Sequence, residues 1–212
     1  MSLAVCGSST VRLVFLGAAG VGKTSLILRF LHDRFEHKYT RTVEELHALE
    51  YDTGAGKVRL EILDTSGSYS FPAMRELCIR HSDAFVLVYA VDDPGSLEEV
   101  RRLREEILEL KGGKCSTPIT VVGNKADLME CEGRALPTAE IMAMVELEWN
   151  ASFVEASART GENAVGVFRA PLQQVNLPSQ LSPALRRRRE TVPRESPKKR
   201  PPLKKNNSCI LS

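Results

Sequence analysis

Three short stretches of the sequence carry residue types that suit binding of a phosphorylated ligand. In the first, GAAGVGKTS, four residues fit the pattern G-x-x-x-x-G-K-[ST]: Gly17, Gly22, Lys23 and Thr24. Backbone N–H groups of such a loop converge on phosphate oxygens, and the following helix adds its dipole. Lys23 is predicted to reach the outer phosphates as the catalytic cation, and the Thr24 hydroxyl to bind Mg²⁺. A glycine-rich turn, or the same loop in an ATP-dependent kinase or motor, is the alternative.

The whole of this loop is expected to surround the phosphates, which gives the predicted contacts Gly17, Ala18, Ala19, Gly20, Val21, Gly22, Lys23, Thr24 and Ser25. In the second stretch, LDTSGSYSF, an apolar strand ends at Asp64, and a small polar loop around Gly67 follows. A carboxylate followed by such a loop suits a metal ion beside a phosphate.

The remaining stretch, GNKADL, indicates which base is bound. Asn124, Lys125 and Asp127 follow a strand of the buried type, and α/β proteins bind ligands at the C-terminal ends of strands. A carboxylate there accepts two hydrogen bonds from one edge of guanine, whereas adenine lacks the 2-amino donor. The later segment EASA is predicted to place Ser157 and Ala158 beside the same base. The sequence therefore favours guanine over adenine.

Strands and helices alternate along the first 178 residues. The runs VRLVFLG, KVRLEILD, AFVLVYAV and PITVVGN read as strands, and SLEEVRRLREEILEL as an amphipathic helix. Turn residues before KVRLEILD predict a hairpin with the stretch that precedes it. We expect a capping box of Ser96 and Glu99 at the start of that helix, and Gly112 at its end. The alternation predicts an α/β fold with a mainly parallel sheet and helices on both faces.

Charge divides the chain into two parts. The whole chain carries 29 Lys and Arg against 27 Asp and Glu, but residues 178–212 hold ten basic residues and only two acidic ones. The tail is also rich in Pro and Ser, so we predict that it is disordered. The five cysteines are scattered and odd in number, which favours reduced thiols in the cytosol. Neither a signal peptide nor a membrane-spanning run is expected.

With these motifs in order, the chain resembles Ras-type small GTPases from Val11 to about Pro178. The resemblance implies a P-loop GTPase G domain with a mainly parallel six-stranded sheet, which binds GTP or GDP with Mg²⁺. The implied domains are a short extension (1–9), a Ras-like G domain (10–178) and a polybasic tail (179–212). The segment DTSGSYSFPAMRELCI is similar to the Rhes/Dexras, Di-Ras and Ras-dva branches.

The same resemblance implies further contacts with the nucleotide and the metal. Phe35 would pack against the guanine, and Tyr39 would lie near the ribose and phosphates. Thr42 would bind Mg²⁺ and the γ-phosphate, and Asp64 would hold the metal through a water. Gly67 would offer its N–H to the γ-phosphate, so that Thr42 and Gly67 anchor two switch loops.

Partners are implied in the same way. Effector proteins would bind through Tyr39–His47 and the loop Ser66–Arg75, and exchange factors would reload the nucleotide. An ordinary solvated edge strand is the alternative for Tyr39–His47. The protein is expected to be a monomer.

Three positions depart from the template. The GTPase glutamine that orients the attacking water is replaced by Ser68, whose hydroxyl is too short for the same geometry. Ser66 and Ala19 replace the residues usual in Ras, and Ala19 adds a methyl near the γ-phosphate. We predict slow hydrolysis and a weak response to Ras-type activating proteins, unless another group or a dedicated partner supplies the function. Two classes stay open: a slowly cycling switch, and a largely GTP-loaded scaffold.

The chain ends in CILS, a C-a-a-X sequence that predicts farnesylation of Cys209. One prenyl chain binds membranes only marginally, and the basic tail supplies the second signal towards an anionic membrane. The expected location is the cytoplasmic face of the plasma membrane. Nuclear import or nucleic-acid binding through SPKKRPPLKK is the weaker alternative. In the last helix, Gly166 and Pro171 predict a short or kinked element.

Overall fold

The computed structural model describes residues 9–36, 42–52, 57–67, 72–113, 117–130 and 137–175. Six strands of this part form one sheet with the spatial order β2-β3-β1-β4-β5-β6. Their bounds are β1 Ser9–Leu16, β2 Glu45–Asp52, β3 Lys57–Asp64, β4 Ala84–Ala90, β5 Ile119–Asn124 and β6 Ser152–Glu155. Strands β2 and β3 pair antiparallel, and every other neighbouring pair is parallel. The predicted hairpin and the mainly parallel six-stranded sheet are therefore confirmed.

Within the described ranges, five α-helices cover the sheet: α1 Lys23–His32, α2 Pro72–His81, α3 Pro94–Leu110, α4 Thr138–Ala143 and α5 Ala164–Gln174. A 3₁₀ turn at Ala126–Glu130 follows β5, and a π-helical segment at Met144–Glu148 continues α4. Each parallel crossover places a helix on one face of the sheet, which is why the alternation in the sequence specifies the fold class.

The core consists of two layers, one on each face of the sheet. Successive residues of β1 alternate between them: Leu13 and Phe15 point towards α1 and α5, and Val14 and Leu16 point towards the other face. The same alternation in β4 explains its unbroken apolar run, because both faces of a central parallel strand are covered. The core thus holds β1, β4 and β5 rigidly, and their C-terminal ends carry the loops of interest.

The start of α3 differs from the capping box that the sequence predicts. The N-cap is Asp93, whose carboxylate accepts a hydrogen bond from the Gly95 N–H at 3.0 Å. Ser96 is buried, and its hydroxyl accepts from the Ala90 N–H at 3.0 Å and donates to the Asp93 carbonyl. The prediction was wrong because the N-cap is three residues earlier, at Asp93, and Pro94 takes the first helical position, which proline favours.

The last helix continues past the proline that the sequence analysis singled out. It runs for 11 residues through Pro171, which is buried together with Val167, Phe168 and Leu172. Proline removes one intrahelical hydrogen bond, but this helix packs its apolar side against the sheet and against α1. Tertiary packing therefore keeps the element helical where its sequence alone does not favour it.

Several predicted features lie outside the described residues. They are residues 1–8 of the N-terminal extension, Tyr39, Ser68 and the whole basic tail with Cys209. Of the five cysteines only Cys78 falls inside the described ranges, and it forms no disulfide there. Among the helices of the described part, none is long and apolar enough to cross a bilayer.

Phe168 joins α5 to the rest of the core, so its truncation provides a test of the packing. Its ring stacks on Phe30 with a centroid distance of 3.8 Å and lies 5.1 Å from that of Phe15. We expect Phe168→Ala to lower the free energy of unfolding by about 3–5 kcal/mol, measured by urea denaturation at fixed ligand concentration. Leu147→Ala is the control, because this side chain is 82% exposed and should change stability by about 0.5 kcal/mol or less. Equal midpoints for the two variants would contradict the packing.

Candidate nucleotide site

A cavity of about 350 Å³ opens where β1, β3, β5 and β6 end at the C-terminal edge of the sheet. It brings together residues from all three predicted motifs, which are spread over more than one hundred positions of the chain. Its lining residues are Ala19, Gly20, Gly22, Lys23, Thr24, Ser25, Leu28, Phe35, Glu36, Thr42, Thr65, Ser66, Gly67, Asn124, Lys125, Asp127, Leu128, Ala158 and Arg159. Its size and position suit a small organic ligand.

Lys23 lies at the centre of the phosphate loop. Its Nζ donates to the carbonyls of Gly17 and Ala18, both at 2.8 Å, and the side chain is buried. Burial lowers the pKa of Lys23 from its usual 10.5 to about 8, although the Asp64 carboxylate opposes the shift. Burying an ammonium group is costly, and a phosphate oxygen beside it would offset that cost. Lys23 is therefore suited to bind an anion.

The three predicted metal ligands meet beside this lysine. The hydroxyl oxygens of Thr24 and Thr42 are 2.7 Å apart, although the two residues come from different elements. Burial raises the pKa of Asp64 above its usual value, while the Thr24 hydroxyl and the Lys23 charge lower it in part. The interaction with Thr24 falls short of good hydrogen-bond geometry, and neither carboxylate oxygen of Asp64 is paired within the described ranges.

A hard divalent cation fits these groups. A fully buried carboxylate without partners is costly unless a cation binds to it. Two hydroxyl oxygens and a carboxylate are oxygen donors of the kind that Mg²⁺ accepts, with waters and phosphate oxygens completing the coordination. The described residues hold no cluster of three or more His, Cys, Asp or Glu side chains, so a site made of protein carboxylates alone is not formed there.

Gly67 packs directly on the phosphate loop. A Cβ placed on this glycine would lie 2.3 Å from the Ala19 nitrogen and 2.4 Å from its Cα. Only glycine allows such an approach, so the loop after β3 and the phosphate loop are in backbone contact. The predicted role of the Gly67 N–H towards a terminal phosphate is compatible with this position.

Asn124 connects the two halves of the pocket. Its Nδ2 donates to the Val21 carbonyl at 2.7 Å, and its Oδ1 accepts from the Ala158 N–H at 3.1 Å. The side chain is 2% exposed. On the phosphate-loop side, Gly22 has φ +95°, and a Cβ there would lie 2.2 Å from Asn124 Nδ2. Glycine is thus needed at position 22 both for its backbone angle and for the space that Asn124 occupies.

Two residues of the loop after β6 contact the Asp127 carboxylate. Ser157 donates its hydroxyl to Asp127 Oδ1 at 2.6 Å, and Arg159 Nη1 lies 3.4 Å from Oδ2. Ser157 is fully buried, whereas the Arg159 side chain is 65% exposed. The inner oxygen of Asp127 is therefore fixed, and a solvated side chain covers the outer one. Such an aspartate can present its carboxylate to a purine edge when Arg159 moves aside.

Lys125 and Phe35 complete the walls. Lys125 adopts φ +66°, and its Nζ forms an ion pair with Asp92 at 3.2 Å. Phe35 lines the pocket, is half-buried and packs against the core layer on the α1 side. Both residues are thus placed by the fold before any ligand binds.

Some predicted residues lie behind the lining. Val21 is buried and contributes its carbonyl to Asn124, and Ser157 acts through Asp127. Gly17, Ala18 and Asp64 likewise lie outside the lining set. Sequence reasoning missed the lining residues Leu28, Glu36, Thr65, Leu128 and Arg159. Leu128 and Arg159 adjoin predicted motifs, and Leu28 lies one helical turn after Thr24, so adjacency and helical spacing could have identified them.

Removal of the Asn124 side chain tests the junction of the pocket. Asn124→Ala leaves the Val21 carbonyl and the Ala158 N–H buried without a partner, at about 1–3 kcal/mol each. We expect GDP affinity to fall on the order of 10²-fold, measured by titration calorimetry on nucleotide-free protein with Mg²⁺. Asn150→Gly is the matched control, since this exposed residue has φ +50°, which glycine also adopts. Unchanged affinity in Asn124→Ala would contradict the bridge.

Comparison with known proteins gives the family. The Ras family model matches residues 12–177. The GTP-binding protein Rhes of Homo sapiens is 39% identical over 195 residues, which covers 88% of this chain and 73% of Rhes. Di-Ras2 of Macaca fascicularis and Di-Ras1 of Homo sapiens are 39% and 37% identical over 161 residues, or 76% of this chain and 79% of each relative. The chain therefore belongs to the Ras family of small GTP-binding proteins.

Proposed function

We propose that this protein is a membrane-anchored GTPase that cycles slowly between GDP and GTP and changes its effector binding with the nucleotide. GTP binding and a place in signalling follow from the family; the slow cycle, the anchor and the effector switch are the proposal. The observation that carries it is the meeting of Thr42 and Gly67 at the phosphate loop. Each belongs to a different connecting segment, and each contacts a phosphate-loop residue, Thr24 or Ala19.

A terminal phosphate bound at this point would bridge the two segments. The Lys23 ammonium would hold that phosphate, while Asp64 and the two threonine hydroxyls would hold Mg²⁺, which supplies charge neutralisation on the phosphate oxygens. When the phosphate leaves, Thr42 and Gly67 lose their common partner, and the segments that contain them relax. This couples the chemical state of the nucleotide to the shape of the surface around β2 and α2.

Exposed apolar side chains on that surface support effector binding. Val43 is 84% exposed, Leu46 51%, Met74 52% and Leu77 56%. Two of them precede or lie on the edge strand β2, and two lie on α2. Cys78 Sγ lies 3.7 Å from Glu44 Oε1 and so connects α2 to the segment that begins with Thr42. A change at Thr42 can therefore reach both sides of the apolar patch.

Slow hydrolysis is the second part of the proposal. The position of the water-orienting glutamine holds Ser68, and Ala19 adds a methyl where Gly67 already approaches the loop backbone. The residues that grip the nucleotide are retained, so we infer tight binding with poor positioning of the attacking water. An activating protein that inserts an arginine would meet the Ala19 methyl at the same place.

Single-turnover cleavage tests the rate. With Mg²⁺ and preloaded GTP, we expect a rate at least about tenfold below the Ras value of about 3–5 × 10⁻⁴ s⁻¹, and little acceleration by Ras-type activating proteins. Ser68→Gln should raise the rate because the longer amide can contact both water and phosphate, and Ala19→Gly in addition should raise it further. A wild-type rate equal to that of Ras, or strong acceleration by its activators, would contradict slow hydrolysis.

A largely GTP-loaded scaffold with negligible turnover is the second candidate, and Ala19 and Ser68 favour it more than in an ordinary Ras protein. The nucleotide that co-purifies with the protein separates the two. Mostly GDP indicates a cycling enzyme, and mostly GTP indicates a persistent active state.

Membrane attachment rests on the sequence of the tail, which lies outside the described residues. We propose that Cys209 carries a farnesyl group and that the clusters at 186–189, 198–200 and 204–205 bind anionic lipid. One chain alone anchors only marginally, so both signals are needed for stable residence at the cytoplasmic face of the plasma membrane. A partly nuclear population, directed by the basic clusters, is the alternative.

Fractionation of cells that express the full chain tests the anchor. We expect Cys209→Ser to move most of the protein from the membrane pellet to the supernatant, because the prenyl acceptor is lost. Replacement of Arg186 to Arg189 by glutamine should cause a partial shift. Persistence of Cys209→Ser in the membrane fraction would count against prenylation, and accumulation in nuclei would favour the alternative.

A further inference from the structure

Arg29 makes a contact that neither the motifs nor the family assignment explains. Arg29 lies on α1, six residues after Lys23, and its side chain crosses to the loop after β6. Arg29 Nε donates to the Ala158 carbonyl at 2.9 Å, and Nη2 donates to the Arg159 carbonyl at 2.7 Å. The side chain is only 15% exposed. Two consecutive carbonyls of one loop are therefore held by a single guanidinium.

The loop that Arg29 holds carries the base-binding groups. The Ala158 N–H donates to Asn124, the neighbouring Ser157 hydroxyl donates to Asp127, and the Arg159 side chain covers the other Asp127 oxygen. A displacement of the Ala158–Arg159 backbone would therefore disturb both Asn124 and Asp127. Arg29 is not itself one of the lining residues of the cavity, but the two loop residues that it holds, Ala158 and Arg159, are.

The contact is built for a planar guanidinium. Nη1 points back to Asp33, at 3.3 Å from its carbonyl and 3.5 Å from its carboxylate, which orients the fork. Gly161 has φ +86°, and even a Cβ there would meet the Arg29 side chain only at 3.6 Å, so the stem passes over the loop without strain. A lysine ammonium lacks the planar fork that places separate nitrogens, Nε and Nη2, opposite the two carbonyls, so it does not reproduce this pair of contacts.

We propose that Arg29 is a positioning residue that sets how long guanine nucleotides stay bound and how strongly guanine is preferred. Helix α1 begins at Lys23 in the phosphate loop and carries Arg29 in its second turn. One rigid helix thus fixes the phosphate grip at one end and the base loop further along. The inference rests on guanine-nucleotide binding at the site described above, and it deepens that function by naming a residue that sets retention.

A purely structural role is the competing explanation, because α1 and α5 already pack together through Phe30 and Phe168. The two explanations differ in their effect on base discrimination. Inosine diphosphate lacks the 2-amino group that Asp127 is expected to recognise. Loosening of the loop should cost guanosine diphosphate more than inosine diphosphate, whereas general destabilisation should affect both nucleotides equally.

The experiment measures dissociation of GDP and of IDP from the full chain with Mg²⁺, after a chase with excess unlabelled nucleotide. For Arg29→Gln we expect GDP release at least about tenfold faster, which corresponds to about 1.4 kcal/mol, and a smaller ratio of IDP to GDP release rates. Arg29→Lys should give release rates between those of the wild type and of Arg29→Gln, because it keeps the positive charge but loses the planar fork. Arg102→Gln is the matched control: this helical arginine is 74% exposed and paired only with Glu99, so both rates should equal those of the wild type.

Two results would overturn the inference. One is GDP release from Arg29→Gln within twofold of the wild type. The other is faster release of both nucleotides at an unchanged ratio, together with a lower thermal midpoint. If Arg29→Gln does not fold, Arg29→Lys decides by the same ratio. A wild-type protein without preference for GDP over IDP and ADP would instead refute guanine binding itself, so the two failures are distinguishable.

Discussion

The pocket depends on one buried amide. Asn124 ends β5, its backbone carbonyl accepts from the Val91 N–H, and its side chain joins the Val21 carbonyl to the Ala158 N–H. Three loops that are distant in sequence are thereby fixed to one another before a ligand enters. Because an amide carries both a donor and an acceptor, it can tie two backbone segments of opposite polarity, which a carboxylate or an ammonium group cannot do. Loss of either hydrogen bond would leave a buried polar group unpaired.

Beside this junction the fold buries two ionisable groups, Lys23 and Asp64, at a cost to their charged forms. Burial depresses the pKa of Lys23 and raises that of Asp64, so in each case the surroundings disfavour the charged form. Their mutual attraction offsets only part of the cost. A polyphosphate favours the charged lysine and a divalent cation favours the charged carboxylate. Binding of both would therefore offset the cost of burying these two charges. The rigid sheet maintains this arrangement through its two apolar layers, which lie away from the charges.

The sequence predicted the features that repeat or that have fixed spacing. Apolar runs such as Ala84–Ala90 identified strands, and the glycine, lysine and aspartate motifs identified the loops after them. It did not predict contacts whose partners are backbone atoms. Arg29 holds carbonyls about 130 residues away, and a carbonyl leaves no mark on residue type. Local rules also failed where packing or a neighbour competed: Asp93 rather than Ser96 caps α3, and α5 remains helical through Pro171.

The residues that bind the nucleotide and the position proposed to orient the attacking water come from different segments of the chain. Slow hydrolysis is therefore compatible with tight nucleotide binding. The gripping groups lie on strand ends and on α1, where Asn124, Arg29 and the core restrain them. The proposed water-positioning position, Ser68, follows Gly67 in the sequence after β3 and lies outside the described residues. Under the proposal, a substitution there would change the barrier of one chemical step without cost to nucleotide affinity, because only interactions specific to the transition state affect that step. A chain with an intact grip and Ser68 is therefore expected to hold GTP longer, rather than to bind it less tightly.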